Sequence, residues 1–411
     1  MELDSNSASN TVFTDILKHP EFEFKLFREL GLAAFGASTL GECFSVAQGM
    51  SMWDLPGWVR GWSLLTAEVE QQARLAMEQG HTTSATEHYL RAANYFHMAE
   101  YYAIIGEGEH VHLGMKCEEC FQYALQGLPW GGGLVELSAN GKAYPSYFLR
   151  PDDSGAPRPT LLVVPGIESS GEELYFYHGI SALRRGYNVL LFQGPGQAGV
   201  LRRDPASHVQ HDYEIPLQVA LDFLHDRADV DNDRLALIGN GLGSYFATRV
   251  TAFDPRVKAL VVNPPYLNLH RLFVEMLGQR ALMFDVDYHA LNELPPSLMR
   301  GDLKLMVLNM CRRFGVSRLQ ALVKCTEAFS VEDLLYRIHC PTLCIRGEKT
   351  NAEMVRQTEE FCSGVRTEVK DLILIPNLHE SDAFNHYSNL PRLNQLVFDW
   401  LDDLFQPGAS S

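Results

Sequence analysis

The stretch Arg234-Leu-Ala-Leu-Ile-Gly-Asn-Gly-Leu-Gly-Ser-Tyr-Phe-Ala-Thr-Arg-Val250 decides the fold. Residues 235–238 form an apolar run typical of a buried strand, and residues 244–250 have the spacing of an amphipathic helix. Between them, three glycines in five residues allow a tight turn. The pattern predicts a strand, a sharp turn and a helix, which is the repeating unit of a parallel α/β sheet.

The glycine spacing of this turn is that of the nucleophile elbow, Gly-x-Ser-x-Gly, whose central residue carries a reactive hydroxyl. Here Gly239 and Gly243 hold the outer positions, and Gly241 stands where the serine would be. Glycine has no side chain and cannot attack a substrate. Ser244 lies one helical turn further on and points away from the usual point of attack. The sequence therefore predicts the backbone of a catalytic turn whose nucleophile position is vacant.

The composition is that of an acidic globular protein. The 411 residues are 46% hydrophobic and 21% charged, with a net charge of −17 and a pI near 5.3. Such a charge disfavours binding to nucleic acid or to anionic membranes, which select clustered Lys and Arg. The first residues are polar, and no apolar run reaches the roughly 18 residues that a membrane helix needs. We therefore expect a cytoplasmic protein.

The cysteines and histidines do not form a metal or redox pattern. The eight cysteines are scattered along the chain, as is usual in a reducing compartment. Cys117 and Cys120 have CxxC spacing without a second pair, and we interpret them as buried helix thiols. No histidine pair is joined by further ligands at suitable spacing. The sequence predicts neither a metal nor a cofactor.

The periodicity of apolar residues divides the chain into four parts. Residues 1–11 are polar and are expected to be a disordered tail, and 12–130 have helical spacing and predict an N-terminal helical domain. Residues 131–262 and 340–406 alternate apolar runs with helices, typical of a parallel sheet covered on both faces. Residues 263–339 are helical and apolar, and we expect them to form a cap above the sheet.

The predicted sheet consists of a hairpin followed by six apolar runs. The hairpin joins 134–138 to 143–149 through the turn signal Asn140-Gly141. The runs are residues 160–164, 188–192, 234–238, 258–262, 342–346 and 371–375. The predicted helices are about 172–185, 213–228, 242–253, 353–363 and 390–405.

Function in such a sheet collects where the parallel strands end. The loop at Gly166 would supply one backbone N–H of an oxyanion hole, and Leu242 would supply the second. Ser169 and Ser170 follow in the same loop and could polarise a substrate oxygen. Gln193 begins the next loop, which is expected to line the pocket floor. The plainer interpretation of both loops is a tight and rigid connection between strand and helix.

The remaining candidates follow the last two predicted strands. The acid of a catalytic triad would follow the first of these strands. Asn351 stands there and could still orient an imidazole through a hydrogen bond. The final loop contains His379 and His386, and His386 is the better candidate for a general base because it directly precedes the last helix. Asp382 or Glu380 would pair with it and favour its action as a base.

An ordered set of short motifs resembles the α/β-hydrolase family that contains the 2,6-dihydropseudooxynicotine hydrolases, in particular its fungal branch that shortens polyketides in pigment pathways. The resemblance extends from about Trp58 to Leu404. The motifs are Tyr89-Leu-Arg-Ala92, Arg158-Pro-Thr-Leu161, Gly171-Glu-Glu-Leu174, Arg185-Gly-Tyr187, Gly194-Pro-Gly-Gln197, residues 239–243, and His386 with Phe398-Asp-Trp-Leu401. The resemblance implies an α/β-hydrolase fold with a mostly parallel sheet, helices on both faces, an N-terminal helical region and a helical cap. It also implies dimers and Ser/Asp/His hydrolysis of esters or of C–C bonds next to ketones.

The chain departs from this family at the catalytic positions. The family's serine falls on Gly241, and its triad aspartate falls on Thr350 or Asn351. A family aspartate before Gly-Pro-Gly falls on Gln193, whereas the histidine is kept as His386. One substitution alone would fit an engineered inactive variant. The additional loss of the acid favours a natural change of chemistry.

Three functions are compatible with these features. The first is a non-hydrolytic enzyme in which an oxyanion hole and His386 support proton abstraction next to a carbonyl, and so condensation, cyclisation or isomerisation of a polyketide-like substrate. The second is an ester or C–C bond hydrolase whose serine was replaced, or one that uses a histidine-activated water. The third is a non-catalytic ligand-binding protein. The apolar residues of 263–339 favour a small, largely apolar carbonyl ligand, and the expected protein partner is a second copy of the chain.

Overall fold

Five helices precede the sheet in the computed structural model, which describes residues 20–51, 53–139, 141–295, 297–376 and 386–405. They are α1 Pro20–Leu32, α2 Leu40–Gln48, α3 Leu55–Glu78, α4 Thr82–Glu100 and α5 Gly108–Gln126. Asp54 caps α3 by accepting a hydrogen bond from the Gly57 N–H at 2.7 Å. Trp58, Trp62 and Tyr95 are fully buried between these helices.

An eight-stranded sheet follows, in the order β1-β2-β4-β3-β5-β6-β7-β8. Its strands are β1 Gly131–Ala139, β2 Lys142–Arg150, β3 Arg158–Val164, β4 Asn188–Leu191, β5 Val230–Asn240, β6 Ala259–Asn263, β7 Thr342–Gly347 and β8 Lys370–Ile375. The strands β3 to β8 are parallel, and the hairpin of β1 and β2 adds to β4 in antiparallel register. The hairpin and all six predicted runs are therefore confirmed, and the fold is the α/β-hydrolase fold.

Ten further helices lie beside and above this sheet in the described parts of the chain. They are α6 Gly171–Leu174, α7 Ile180–Arg184, α8 Ala198–Leu201, α9 Glu214–His225, α10 Leu242–Phe253, α11 Leu269–Leu282, α12 Gly301–Phe314, α13 Leu319–Thr326, α14 Ala352–Gly364 and α15 Leu390–Phe405. The helix predicted over 172–185 is interrupted by a π-helical turn at Tyr175–Gly179. The four-residue α8 was not predicted, because a single turn inside a Gly- and Pro-rich loop has no periodicity.

The helices α11, α12 and α13 occupy the segment between β6 and β7, where the sequence predicts a cap. The helix α1 packs against α12 and against the short turn Tyr387–Asn389 that leads into α15. Gly31 permits this contact, since a Cβ atom there would lie 2.1 Å from the Tyr387 carbonyl oxygen. Elements from three distant parts of the sequence thus meet beside the sheet.

No helix in the described ranges is long and apolar enough to cross a membrane. Cys117 and Cys120 are buried thiols on α5, as the sequence predicts.

Candidate active site

The turn between β5 and α10 has the sharp backbone geometry of an elbow. Gly241 joins Asn240, the last residue of β5, to Leu242, the first residue of α10, with φ 55° and ψ −125°. This positive φ favours glycine, because a Cβ atom is strained there. The Gly241 N–H donates to the Asn263 carbonyl at 2.8 Å, which ties the turn to the end of the neighbouring strand.

The two outer glycines of the elbow are required by close packing. A Cβ atom on Gly239 would lie 2.2 Å from the Gly243 carbonyl oxygen, and one on Gly243 would lie 2.4 Å from the Val164 carbonyl oxygen. Ser244 is held below the turn, where its hydroxyl donates to the Gly239 carbonyl at 2.7 Å. The hydroxyl also accepts from the Asn263 N–H at 3.1 Å. Ser244 therefore supports the elbow and does not replace its nucleophile.

A cavity of about 300 Å³ lies over Gly241. Its floor consists of the elbow and the loop after β3, and its roof and sides consist of α1, α11, α12 and single residues from other elements. The lining side chains are mostly apolar. The roof residues are Leu269, Leu272, Phe273, Met276, Leu303, Leu305, Met306 and Met310, with Phe24, Lys25, Arg28, Tyr101, Tyr102, Tyr266, Asp302, Asn309 and Tyr387 at the sides.

Two backbone segments on the floor could serve as an oxyanion hole. Leu242 is the first residue of α10, so its N–H has no acceptor within the helix. Gly166 approaches the elbow closely, because a Cβ atom there would lie 3.3 Å from the Asn240 carbonyl oxygen. Both segments line the cavity. They would meet a ligand oxygen placed above Gly241.

A neutral hydrogen-bond chain holds the Asn240 side chain beside Gly241. The Asn240 amide Nδ2 donates to His178 Nε2 at 2.8 Å, and His178 Nδ1 lies 2.7 Å from Asn394 Oδ1. Asn263 Nδ2 donates to Asn240 Oδ1 at 3.2 Å. Burial lowers the pKa of His178, which favours a neutral imidazole whose Nδ1–H donates to Asn394. These hydrogen bonds therefore fix the Asn240 side chain at the edge of the floor, and none of the groups that form them carries a charge.

Ionic groups from α1 form one side of the cavity. Arg28 Nη2 donates to Glu173 Oε2 at 2.5 Å and to the Ser169 hydroxyl at 2.7 Å. Arg28 Nε donates to the Tyr177 hydroxyl. Burial alone would raise the pKa of Glu173, but Arg28 and Lys25 beside it hold that pKa well below its ordinary value. The carboxylate of Glu173 is therefore ionised at neutral pH.

A second ionic group extends this cluster away from the cavity. Arg202 forms a bidentate pair with Glu100, both distances being 2.8 Å, and contacts Glu172 at 3.0 Å. His97 links the two groups, since its ring lies 3.3 Å from Glu100 and 3.6 Å from Glu173. The pairs Arg202–Glu100 and Arg28–Glu173 thus join the sheet domain to the N-terminal helices.

Comparisons with known proteins agree with this fold. The family model described as Esterase FrsA-like matches residues 54–289, which is more than half of the chain. The chain belongs to the FrsA-like esterase family. It is similar to fungal relatives named as a hydrolyase or as hydrolases. Hydrolyase poxO of Penicillium oxalicum is 30% identical over 259 residues, which cover 60% of this chain and 61% of poxO.

A longer match extends over most of the FrsA-like chain. Alpha/beta hydrolase gkaG of Penicillium citrinum is 27% identical over 371 residues, covering 85% of this chain and 86% of gkaG. Among solved structures, the 2,6-dihydroxy-pseudo-oxynicotine hydrolase superposes with a TM-score of 0.69 at 23% identity, covering 92% of this chain and 96% of that protein. At this identity the structural likeness shows the shared fold.

Four of the predicted site residues of this FrsA-like chain line the cavity, namely Gly241, Leu242, Gly166 and Ser169. Ser170 instead caps α6, since its hydroxyl accepts from the Glu173 N–H at 3.2 Å.

Gln193 does not lie on the cavity floor where the sequence places it. It is fully buried, its Nε2 donates to the Pro145 carbonyl at 3.1 Å, and its Oε1 accepts from the Gly199 N–H at 2.9 Å. The reason is the strand order, because β3 separates β4 from β5. Gln193 follows β4, and its side chain joins the hairpin to α8.

Asn351 and His386 are not among the residues that line the cavity. Asn351 caps α14, where its Oδ1 accepts from the Met354 N–H at 2.7 Å. His386 is fully buried with φ 60° and directly precedes Tyr387, which lines the cavity. Asp382, like Glu380 and His379, lies outside the described residues. The roles predicted for Asn351 and His386 stay predictions.

The charged residues of α1 are the part of the site that the sequence reading missed. The buried stripe of α1 contains Phe22, Leu26 and Leu32, but also Lys25 and Glu29 at the same helical spacing. Charged residues within an apolar stripe are the signal that was available. Among the described residues, no three His, Cys, Asp or Glu side chains are grouped so as to bind a metal ion.

Proposed function

We propose that this chain is an enzyme that binds a small, largely apolar carbonyl compound and moves a proton next to the carbonyl, without an acyl-enzyme. The observation that carries the proposal is Gly241. The elbow keeps its strained backbone and its cavity, yet the attacking atom is missing. An enolate needs stabilisation of its oxygen and a base, but it needs no nucleophile.

The lining of the cavity supports this choice of ligand. Leu272, Phe273 and Met306 form an apolar roof, and the floor offers the backbone donors of the Leu242 and Gly166 segments. A volume of about 300 Å³ lies at the small end of ligand pockets. A compact apolar molecule with a carbonyl facing Gly241 fits both features. Fungal secondary metabolism, in which condensations and cyclisations of polyketide carbonyls occur, is the setting that the resemblance suggests.

The proposed base is His386, the one triad residue that the resemblance carries over. Its neighbour Tyr387 lines the cavity, so a ligand bound against Tyr387 would lie close to His386. The second candidate is hydrolysis by an activated water above Gly241, and the hydrolase name of gkaG favours it.

Deuterium exchange separates these functions. The protein is incubated in D₂O with hydrophobic monoketones, whose α-hydrogens exchange slowly without a catalyst, and separately with hydrophobic β-diketones and β-ketoesters. NMR measures the loss of α-hydrogens from the monoketones and the cleavage of the other compounds. We expect exchange without cleavage, and we expect His386→Ala to lose it. Cleavage by the unaltered chain would support the water-based hydrolase instead. Binding without exchange would identify a ligand-binding protein and overturn the proposal.

Restoring the nucleophile gives a second test. We expect Gly241→Ser to lose about 1–3 kcal/mol of stability, because a side chain is strained at this φ. We also expect it to gain no rapid ester hydrolysis, since the triad acid has been replaced as well and that position offers His386 no carboxylate. Gly241→Ala is the matched control for the strain. A burst of hydrolysis with activated esters, present in Gly241→Ser and absent from Gly241→Ala, would show a hydrolase that has lost only its serine.

A further inference from the structure

Lys25 places an amine in the wall of the cavity above Gly241. Its side chain is 2% exposed, and in the described parts of the chain its Nζ has no hydrogen-bond acceptor. The nearest carboxylate oxygen, Glu173 Oε1, is 4.0 Å away. Nζ lies 3.7 Å from the centroid of the Tyr101 ring. Burying a polar group without a hydrogen bond is costly. A ligand that contacts this amine through a polar group would remove that cost.

The surroundings of Lys25 make its ammonium group easier to deprotonate than that of an exposed lysine. The charged and titratable groups around it are Arg28 and Glu29 on α1, Tyr101 after α4, and Glu168 and Glu173 on the loop after β3 and on α6. Arg28 makes the closest contact to Glu173, at 2.5 Å, whereas Lys25 Nζ lies 4.0 Å from that carboxylate. Glu173 therefore stabilises the charge of Lys25 less than that of Arg28. Burial and the positive charge of Arg28 lower the pKa of Lys25 to about 8.

A desolvated lysine beside a second cation is the setting in which proteins use lysine as a nucleophile toward carbonyl groups. The alternative, capture of a ligand carboxylate, is disfavoured here. Glu173 and Glu168 already lie beside Arg28, at 2.5 Å and 3.9 Å. A ligand carboxylate would add a further negative charge next to them in a largely apolar cavity.

We propose that the Lys25 amine condenses with a ketone or aldehyde of the ligand to form an imine, while the elbow floor receives the rest of the molecule. This inference rests on the proposed function, because it assumes a carbonyl ligand. It narrows that ligand to ketones and aldehydes, since esters and carboxylates do not form stable imines with an amine. An imine withdraws electrons from the adjacent carbon, so it would also promote removal of the α-hydrogen.

The step balances without any further reactant. The lone pair of neutral Nζ attacks the carbonyl carbon, a C–N bond forms, and the carbonyl π electrons move to oxygen. One hydrogen then passes from nitrogen to that oxygen, which gives a carbinolamine. Loss of the hydroxyl with the second nitrogen hydrogen releases one water and leaves a C=N bond.

Borohydride trapping tests the proposal on the unaltered protein. The chain is mixed with a hydrophobic aryl aldehyde or aryl ketone, reduced with cyanoborohydride, and mapped by peptide mass spectrometry. We expect one adduct at Lys25, formed faster as the pH rises from 7 to 9. Lys304 is an internal control, because it is also buried but its Nζ donates to the Leu294 carbonyl. Lys324, which is 77% exposed, reports non-specific reaction.

Two variants complete the test. Lys25→Arg keeps the positive charge, and Lys25→Met keeps the volume, and both are expected to lose the adduct. Circular dichroism shows whether each variant is folded. The mapping of the unaltered chain tests the proposal even if neither variant folds. Adduct at Lys304 or Lys324 with none at Lys25 would overturn the inference.

Combined with deuterium exchange, the trapping result separates this inference from the proposed function. Exchange without a Lys25 adduct would overturn the imine and leave the proposed function standing. An adduct without exchange would support the imine and overturn the proposed proton transfer. Neither exchange nor adduct would overturn both.

Discussion

Different interactions hold the floor and the side wall of the cavity in place. The floor is a run of backbone, Gly239–Gly243, held by steric contacts in which neighbouring backbone carbonyls leave no room for a Cβ atom. The side wall contains Lys25 and Arg28, which are held by the charge of Glu173, a residue about 145 positions further along the chain. The floor is therefore insensitive to pH, whereas the wall depends on the ionisation of buried groups.

Removing the central cation should give the largest effect. We expect Arg28→Met to lose about 3–5 kcal/mol of unfolding free energy, because it leaves the buried Glu173 carboxylate without its main partner. Urea unfolding measures this loss. Arg60→Met is the control, since Arg60 is 66% exposed in its pair with Asp54 and should change stability by about 0.5 kcal/mol or less. Equal effects in the two variants would show that charge does not hold the wall.

Glu29 should make the wall sensitive to pH. Burial and the nearby Glu173 raise the pKa of Glu29 to about 8, so the folded chain keeps a proton that the unfolded chain loses near pH 4.5. The stability from this group is thus complete at low pH and declines between pH 4.5 and 8, by at most about 1.4 kcal/mol per unit. We expect Glu29→Gln to remove this decline and to be the more stable protein at pH 8.

Unfolding of both proteins in urea at pH 5, 6.5 and 8 measures the difference. Glu68→Gln, an exposed position on α3, is the matched control and should follow the unaltered chain. If Glu29→Gln had the same pH dependence as that control, the carboxyl of Glu29 would be ionised throughout.

The smallest effect is expected at Asn351. As the cap of α14 it should cost about 1 kcal/mol on substitution by Ala and little on substitution by Asp. Thermal unfolding measures both. Thr39→Ala is a matched cap variant on α2, where the hydroxyl accepts from the Glu42 N–H at 3.2 Å. If Asn351→Ala abolished deuterium exchange while Thr39→Ala did not, Asn351 would belong to the site as the sequence suggested.

The floor could be predicted because its determinants are local. Strand runs, the elbow glycines and the loop at Gly166 are each contained in a few consecutive residues, and parallel strands bring their ends together. Gln193 was misplaced because chain order does not give sheet order, and β3 lies between β4 and β5. Asparagine suits both a helix cap and a residue that orients an imidazole, so the sequence alone cannot show which role Asn351 has.

The wall could not be predicted, since nothing in α1 alone says what it packs against. Lys25 and Glu29 stand in an apolar stripe, which indicates buried charge but does not name a partner. Their partners Glu173 and Asn94 lie far along the chain. Only the tertiary structure brings them together.

The close contact of Gly31 with the Tyr387 carbonyl oxygen has a consequence for synthesis on the ribosome. The helix α1 emerges long before Tyr387 does, so part of its docking surface is missing while most of the sheet is being made. The Tyr387 side of the cavity is therefore completed last, after all eight strands and the helices above the elbow have been synthesised.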